Sequence, residues 1–414
     1  MIIPGCRDQQ LKGQETMKCK IAVIGVGQRG YAAVNLIKKS FSERAQLTAL
    51  CDTAPERVDE FAAQLGVEDI PRFYTVDDLI AKGDFDAAII TVPDFAHRDC
   101  AIAVLNAGKH IMLEKPMALT AADCRDIIRA AERNDRIIQI GFVLRFHPVY
   151  MTAKKILASG EIGKVLNISA SECLGVMHGA SYMRRWHRKN ANSGSFMLTK
   201  CSHDIDILSQ VAGSRVARVC SFGSTDYFTP DKLKYEYCSE CPDTSCRFRF
   251  GGEMVRMTDQ EKAAPSVKRF DLCVYNDDKD VVDHQNTLME FENGIKCDFS
   301  LNLFAPVAKR TLTVYGTDGY LFADTTADTI QLHFSDGRES RVEPCHKTND
   351  SGHDGSDYGF MSDFIDCVTT GRKPTSDTAS GLASTVVGCA IEKSRRSGQV
   401  VNIDPREYET DYED

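Results

Sequence analysis

The stretch KIAVIGVGQRG, residues 20–30, joins an apolar β-rich run to a glycine turn and the start of a helical pattern. The turn has G-x-G-x-x-G spacing at Gly25, Gly27 and Gly30. After a strand and before a helix, the first glycine allows a tight turn, the second lets a pyrophosphate approach the backbone, and the third lets the helix pack closely on the strand. Unpaired N–H groups at the helix start attract phosphates. The stretch predicts a dinucleotide-binding βαβ unit, with a glycine turn that binds no ligand as the alternative.

Apolar runs alternate with segments of helical length from this turn to Gly141. The runs that follow the first are residues 47–52, 73–75, 87–92, 110–113 and 137–141. Continuous apolar runs are typical of strands in a parallel sheet that helices cover on both faces. The pattern predicts a doubly wound, α/β Rossmann domain over residues 18–141, whereas the sequence before Lys20 has no regular pattern.

Asp52 ends the second run, roughly 20 residues after the glycine turn, where a carboxylate can bind the adenosine ribose hydroxyls. A 2′-phosphate would be repelled there, so Asp52 favours NAD over NADP. Arg57 lies nearby and could soften this preference. Asp52 could also cap the helix that begins near Pro55.

Two further strand ends carry polar residues. The fourth strand ends in Thr91-Val92-Pro93, with His97 opening the next helix, and the fifth ends in Glu114-Lys115-Pro116. Ligands of doubly wound sheets bind beyond the carboxyl ends of the strands. These residues are therefore expected along the nicotinamide half of the cofactor.

The pattern changes after Gly141 and indicates a second, α+β domain over residues 142–403. It predicts helices at 148–159, 196–211, 358–370 and 376–397, and strands at 165–170, 287–291, 295–303, 310–315, 320–323 and 330–334. Short turn signals separate the last five strands, which predicts antiparallel hairpins.

The composition favours a soluble, cytoplasmic protein. The chain has 414 residues, 43% of them apolar, and a net charge of -9 with scattered basic residues. No apolar run reaches the roughly 18 to 20 residues of a membrane helix, and the first residues lack a signal-peptide pattern. We therefore expect neither a nucleic-acid nor a membrane partner.

Five motifs together resemble the glucose-fructose oxidoreductase and inositol dehydrogenase family, Gfo/Idh/MocA, over residues 20–403. They are residues 25–30, Thr91-Val92-Pro93 with His97, Glu114-Lys115-Pro116, residues 159–163 and His203-Asp204-Ile205-Asp206. The resemblance implies a Rossmann domain followed by a domain with a large open mixed sheet. It also implies hydride transfer on sugars or polyols, and homodimers or homotetramers packed through that sheet.

The resemblance implies that Lys115 lies between nicotinamide and substrate, and that His203 is the catalytic histidine. An ammonium group can stabilise a developing alkoxide, and an imidazole can take a hydroxyl proton near neutral pH. Relatives often have a cis bond before Pro116. The alternatives are a surface lysine at a strand end and a histidine of the core.

The chain departs from the better-known sugar dehydrogenases, which often have an aspartate four residues before this histidine, because Thr199 stands there. Lys200 could lower the histidine pKa or bind an anionic substrate group, or it could be a solvated helix residue. A helix would place Thr199, His203 and Asp206 on one face.

The predicted site residues fall into three groups. The catalytic group is Lys115, His203 and Lys200. The cofactor-binding group is Gly25, Gly27, Gln28, Arg29, Gly30, Asp52, Thr91, Pro93, His97, Glu114, Lys115 and Arg145. The substrate group is Trp186, Arg188, Thr199 and Asp206. His353 and Asp354 either line the same pocket or belong to a plain surface loop.

Sixteen cysteines in a large chain without an export signal are expected to be mostly reduced. Cys238, Cys241 and Cys246 form C-x2-C-x4-C, with Cys273 as a possible fourth ligand in a loop insertion over residues 238–273. This spacing suits a structural zinc ion, whereas an iron-sulfur cluster would need four well-placed thiolates. The alternative is a set of reduced thiols.

These observations predict an NAD(H)-dependent oxidoreductase acting on a hydroxyl of a sugar, sugar acid or cyclitol. One alternative is a glycoside-cleaving enzyme in which NAD transiently oxidises the sugar. The other is a non-catalytic NAD-binding regulator.

Overall fold

The computed structural model describes residues 18–250, 271–347 and 349–412. The segment before Lys18 and the central part of the expected cysteine-bearing insertion lie outside the described residues. The described chain forms two sheets with helices packed on them.

The first sheet has six parallel strands in the order β3-β2-β1-β4-β5-β6. Its strands are β1 Cys19–Ile24, β2 Ala45–Cys51, β3 Arg72–Phe73, β4 Ala87–Ile90, β5 His110–Leu113 and β6 Ile138–Ile140. The helices between them are α1 Gln28–Ser40, α2 Pro55–Leu65, α3 Val76–Lys82, α4 His97–Asn106 and α5 Ala121–Asn134. This is the expected doubly wound architecture.

Both faces of this sheet are buried, which explains its continuous apolar runs. On β1, Ile21 and Val23 pack into one core cluster, whereas Ala22 and Ile24 pack into another. Successive side chains of a strand point to opposite faces, so each face has its own helix layer. None of the described helices is long and apolar enough to cross a membrane.

The second sheet has nine strands in the order β14-β13-β12-β11-β7-β10-β9-β8-β15. Its strands are β7 Val165–Gly175, β8 Val216–Ser224, β9 His284–Phe291, β10 Lys296–Ala305, β11 Lys309–Gly316, β12 Gly319–Asp324, β13 Thr329–Phe334, β14 Arg341–Pro344 and β15 Val401–Asn402. Strands β7 and β10 pair in parallel, and the other pairs are antiparallel. The expected mixed, mostly antiparallel sheet is confirmed.

Seven helices accompany the second sheet in the described chain. They are α6 Pro148–Ser159, α7 Val176–Arg184, α8 Asn190–Ser193, α9 Phe196–Thr199, α10 Ser202–Ala212, α11 Ser356–Thr370 and α12 Thr378–Ser397.

The single helix predicted over residues 196–211 is wrong. The chain forms α9 and then α10, with a break at Lys200 and Cys201. At this break the carbonyl oxygen of Thr199 accepts a hydrogen bond from Lys115 Nζ. The break therefore turns a backbone oxygen towards the first sheet. Strands β8, β14 and β15 were not predicted, and β14, with the sequence Arg-Val-Glu-Pro, is almost wholly exposed.

Candidate active site

A cleft of about 1870 Å³ lies beyond the carboxyl ends of the strands of the first sheet. Its wall combines the glycine turn, the ends of β2, β4 and β5, the region after α7, and the break between α9 and α10. Residues far apart in the sequence thus meet where ligands of doubly wound sheets bind.

The three glycines of the turn have separate structural roles. Gly25 has φ +94°, and a Cβ there would lie 2.7 Å from the carbonyl carbon of Thr91. A Cβ on Gly30 would lie 2.3 Å from the oxygen of Gly25. A Cβ on Gly27 would meet nothing within 4 Å, so this glycine borders open space in the cleft. Thr91 supports the turn by donating from Oγ1 to the oxygen of Gly25 at 2.6 Å.

Asp52 is anchored by the backbone at the end of β2. Its Oδ2 accepts from Val26 N and its Oδ1 from Ala54 N, both at 3.1 Å. Helix α2 begins at Pro55 with Ala54 as its N-cap residue, and no side chain caps it. Arg57 Nη1 lies 3.7 Å from Asp52 Oδ2. Asp52 therefore fixes the turn between β2 and α2 while its carboxylate still borders the cleft.

The groups at this end of the cleft suit a dinucleotide. Gly27 leaves room beside the backbone, and α1 begins at Gln28 without a side-chain cap. A helix start of this kind attracts an anion. Together with Asp52, these groups match the needs of a pyrophosphate and a ribose.

Arg29 and Glu114 bind each other, although the sequence assigned each of them to the cofactor. Arg29 Nε lies 2.6 Å from Glu114 Oε1, and Arg29 Nη1 lies 3.1 Å from Asp357 Oδ2 on α11. Burial is the largest single influence on the pKa of Arg29, and it lowers that pKa. The charges of Glu114 and Asp357 together outweigh burial, so the pKa of Arg29 is raised. The guanidinium thus joins the glycine turn to the end of β5.

His97 links two strand ends. Its Nδ1 lies 2.7 Å from the oxygen of Pro116 and its Nε2 lies 3.0 Å from the oxygen of Val92. The residue is fully buried, and burial lowers its pKa. Both ring nitrogens face backbone carbonyl oxygens, and a neutral imidazole can donate a hydrogen bond to only one of them. His97 therefore shapes the cleft by linking these two strand ends.

Lys115 lines the cleft, and its bond to Pro116 is cis. Its Nζ donates to the oxygen of Thr199, and the hydroxyl of Thr199 donates to Asp94 Oδ2 at 2.5 Å. Burial is the main cause that lowers the pKa of Lys115, whereas Asp94 opposes this change and Lys200 adds to it. Burial raises the pKa of Asp94 to about 7, although Lys115 and the hydrogen bond from Thr199 oppose it.

Asp94 is the residue of this cluster that sequence reasoning missed. It directly follows the Thr91-Val92-Pro93 strand end that marked the cleft, and it is 7% exposed. An acidic residue at a strand end was the available signal. The sequence could not show that Thr199, more than 100 residues later, would be its partner.

His203 lines the same cleft from the start of α10. Burial, followed by the nearby charges of Lys115 and Arg310, holds its pKa well below the usual range, so the imidazole is neutral at neutral pH. Its Nδ1 has no hydrogen-bond partner among the residues that the structure describes. A neutral imidazole can accept a proton from a hydroxyl.

Lys200 reaches the cleft wall but is already paired. Its Nζ lies 3.4 Å from Glu172 Oε1, and Arg310 Nε lies 2.6 Å from Glu172 Oε2 and 2.7 Å from Asp204 Oδ1. These four buried charges balance in sign. Lys200 is therefore not the free cation that an anionic substrate group would require.

The structure separates the predicted substrate residues. Arg145 and Asp206 form an ion pair at 2.5 Å and are not among the residues that line the cleft. Trp186 and Arg188 do line it. Arg188 Nη2 is paired with Asp278 at 2.7 Å.

Trp186 stacks on His187 with ring centroids 3.7 Å apart, and its edge meets Phe95 at 6.0 Å. His353 also lines the cleft, and its Nδ1 lies 3.0 Å from Asp357 Oδ1. Asp354 contacts His147 and Lys347 and does not line the cleft.

The predicted zinc site is not formed by the part of the chain that the structure describes. Cys238, Cys241, Cys246 and Cys273 are free cysteines, and no group of three or more His, Cys, Asp or Glu side chains among the described residues could hold a metal ion. Burial lowers the pKa of the nearby Arg184 guanidinium, and Cys238, Cys273 and Cys246 oppose this change.

Comparisons with known proteins agree with this architecture. Residues 19–142 match the model of an oxidoreductase family with an NAD-binding Rossmann fold, and residues 154–403 match that family's C-terminal alpha/beta domain. The putative oxidoreductase YteT of Bacillus subtilis is 22% identical over 83% of this chain and 88% of its own length. The scyllo-inositol 2-dehydrogenase (NAD(+)) of the same species is 24% identical over 93% of this chain and 96% of its own.

A solved structure of levoglucosan dehydrogenase in complex with NADH and levoglucosan superposes with a TM-score of 0.74 at 19% identity. The match covers 94% of this chain and 99% of that one. Because the two family models together span most of the chain, the protein belongs to the Gfo/Idh/MocA family of NAD-binding oxidoreductases.

Proposed function

We propose that this protein is an NAD(H)-dependent dehydrogenase that oxidises a hydroxyl of a sugar, sugar acid or cyclitol. In this proposal residues 18–141 bind the dinucleotide, and residues 142–403 bind the substrate and form the oligomer. The observation that carries it is that Lys115 and His203 line one cleft with the glycine turn and Asp52. Among the relatives are enzymes named for a cyclitol and for an anhydrosugar, which supports a polyhydroxylated substrate.

Asp52 and Gly27 are the proposed anchors of the cofactor. The carboxylate of Asp52 can accept hydrogen bonds from the adenosine ribose, and the open side of Gly27 can admit the pyrophosphate. Bound NAD+ supplies the hydride acceptor, so that the C–H bond of the carbinol carbon breaks and a carbonyl forms. The protein must then take the hydroxyl proton.

His203 is the proposed acceptor of that proton. Its low pKa keeps the imidazole neutral and ready to accept a proton at neutral pH. Its unpartnered Nδ1 leaves one nitrogen uncommitted within the described structure.

Lys115 is proposed to hold the reacting oxygen. Thr199 and Asp94 keep its amine at the cleft wall. As an ammonium it stabilises the developing alkoxide, and its lowered pKa also lets it share the proton.

The test is a screen of sugars, uronic acids, cyclitols and glycosides with NAD+ and NADP+. Nicotinamide absorbance and product analysis would be measured for the wild type, Lys115→Met and His203→Asn. We expect net NADH formation with one substrate class, and losses of kcat of about a hundredfold or more in each variant.

Two control variants remove an amine and an imidazole that lie outside the cleft. Lys164→Met replaces an exposed lysine, and His333→Asn replaces a histidine of β13. Both should keep wild-type kcat. Cleavage of glycosides without net NADH would replace the proposal with the glycosidase alternative, and NADH binding without any turnover would favour the regulator.

A further inference from the structure

Asp94, which is buried, and Lys115, which is partly buried, place opposite charges at one corner of the cleft. They come from the ends of neighbouring strands, β4 and β5. Thr199 joins them, because its carbonyl oxygen accepts from Lys115 Nζ and its hydroxyl donates to Asp94 Oδ2. A residue beside the second sheet thus fixes both charged side chains of the first.

Asp94 is the main counter-charge of Lys115. Among the charges that act on the pKa of Lys115, that of Asp94 has the largest influence, ahead of Lys200 and Glu114. Glu114 is shared with Arg29 at 2.6 Å, and Lys200 is paired with Glu172 at 3.4 Å. Glu114 is therefore not a dedicated partner of the amine, and Lys200, which is itself a cation, repels it.

This arrangement matters because the nicotinamide ring changes its charge during the reaction. The oxidised ring is positive, and the reduced ring is neutral. Next to an ammonium in a buried cleft, the oxidised ring is repelled unless a negative charge lies close by. The reduced ring has no such requirement.

We propose that Asp94 is a positioning residue that supplies the counter-charge allowing Lys115 and the oxidised nicotinamide to occupy the same site. This inference rests on the proposed function, which puts the nicotinamide beside Lys115. According to this inference, the charge of Asp94 raises the affinity for NAD+ relative to the affinity for NADH. No step of the chemistry passes through its carboxyl group.

The test uses variants that remove the charge of Asp94, of Lys115 or of both. For each variant, the dissociation constants of NAD+ and NADH are measured by calorimetry at pH 8 without substrate, and their ratio is compared with that of the wild type. Asp94→Asn keeps the size of the side chain and an acceptor for the Thr199 hydroxyl. This variant should weaken the binding of NAD+ by about tenfold relative to the binding of NADH. Lys115→Met removes the ammonium and should shift the ratio in favour of NAD+.

The double variant Asp94→Asn/Lys115→Met removes one charge of each sign and should return the ratio to within about threefold of the wild type. Asp84→Asn makes the same charge change at an exposed residue before β4 and should leave the ratio unchanged. A merely structural role of Asp94 would weaken both cofactor forms equally.

Equal losses of NAD+ and NADH affinity in Asp94→Asn would overturn the inference. If Asp94→Asn does not fold, Lys115→Met is compared with the double variant instead. An unchanged ratio of the NAD+ and NADH dissociation constants in Lys115→Met would contradict the proposed counter-charge. Failure of the wild type to bind either cofactor form would instead contradict the proposed function.

Discussion

Asp52 should decide the choice of cofactor, because its carboxylate is held at the cleft by the backbone of Val26 and Ala54. Asp52→Ser removes the negative charge that binds the ribose hydroxyls and repels a 2′-phosphate. We expect the affinity for NADH to fall about tenfold while that for NADPH holds or rises, as measured by fluorescence titration. Asp69→Asn, at an exposed residue, serves as the control. A parallel loss of both affinities would show that Asp52 only stabilises its turn.

The pH dependence of the reaction should follow Asp94. Burial raises the pKa of this carboxyl to about 7, so it is neutral below that pH and negatively charged above it. The pKa of His203 is lowered well below its usual value and cannot produce a change near pH 7. We therefore expect kcat/KM for oxidation to rise between pH 6 and 8 as Asp94 becomes the counter-charge of Lys115.

The groups that act on the titration of Asp94 are Lys115, Glu114 and the hydroxyl of Thr199. In Asp94→Asn the rise in kcat/KM around pH 7 should disappear, and in Asp84→Asn it should remain. A rise of the same size in Asp94→Asn would assign it to another group.

Sequence reasoning found the residues whose place is fixed by the backbone of the first sheet. Asp52 and Lys115 follow strand ends, and strand ends of a doubly wound sheet meet at one edge. It was less successful where partners are chosen in three dimensions. Arg145, which is predicted to contact the cofactor, forms an ion pair with Asp206, 61 residues later in the sequence. The structure also pairs Asp94 with Thr199 across a separation that no local pattern reports.

In the glycine turn between β1 and α1, a substitution at Gly27 should reduce cofactor binding without reducing the stability of the protein. Gly27→Ala adds a Cβ to open space, so the free protein should keep its melting temperature within about 2 °C. The same methyl group would occupy the path of the pyrophosphate, so NADH affinity should fall at least tenfold. Scanning calorimetry and NADH titration would measure the two effects.

Gly25→Ala is the matched comparison for this turn. Gly25 has φ +94°, and a Cβ there would collide with the backbone of Thr91. It should lower the melting temperature markedly. Loss of stability in Gly27→Ala equal to that in Gly25→Ala would contradict the assignment of Gly27 to the cofactor.

At the level of secondary structure, the sequence predicted elements with strong periodicity and missed those set by tertiary contacts. Helix α6 has the predicted bounds, Pro148–Ser159, because it carries a clear apolar face. The apolar pattern of residues 196–211 continues through the break between α9 and α10, so periodicity alone joined the two helices. The hydrogen bond from Lys115 to Thr199 at this break comes from the other sheet.

Assembly of the whole molecule through the second sheet remains a prediction. On β8 and β9, Phe222 is 66% exposed and Leu288 is 61% exposed, whereas Met289 and Phe291 are buried. Apolar side chains on an open sheet face favour an interface between copies. We expect a dimer or tetramer by light scattering, and a smaller species for Phe222→Glu/Leu288→Glu.

Val307→Glu changes an apolar residue that is equally exposed but lies between β10 and β11, and it should not alter the assembly. A wild-type protein that is monomeric at micromolar concentration, or a double variant with unchanged mass, would contradict this interface.

The central claim is that the two sheets hold a dinucleotide so that its nicotinamide faces both Lys115 and His203. A crystal structure of the wild-type protein with NADH tests it most directly. We expect the pyrophosphate against Gly27, the adenosine ribose at Asp52, and C4 of the nicotinamide facing the Lys115 amine and the His203 imidazole. A dinucleotide bound elsewhere, or a nicotinamide directed away from these two side chains, would contradict the proposed active site.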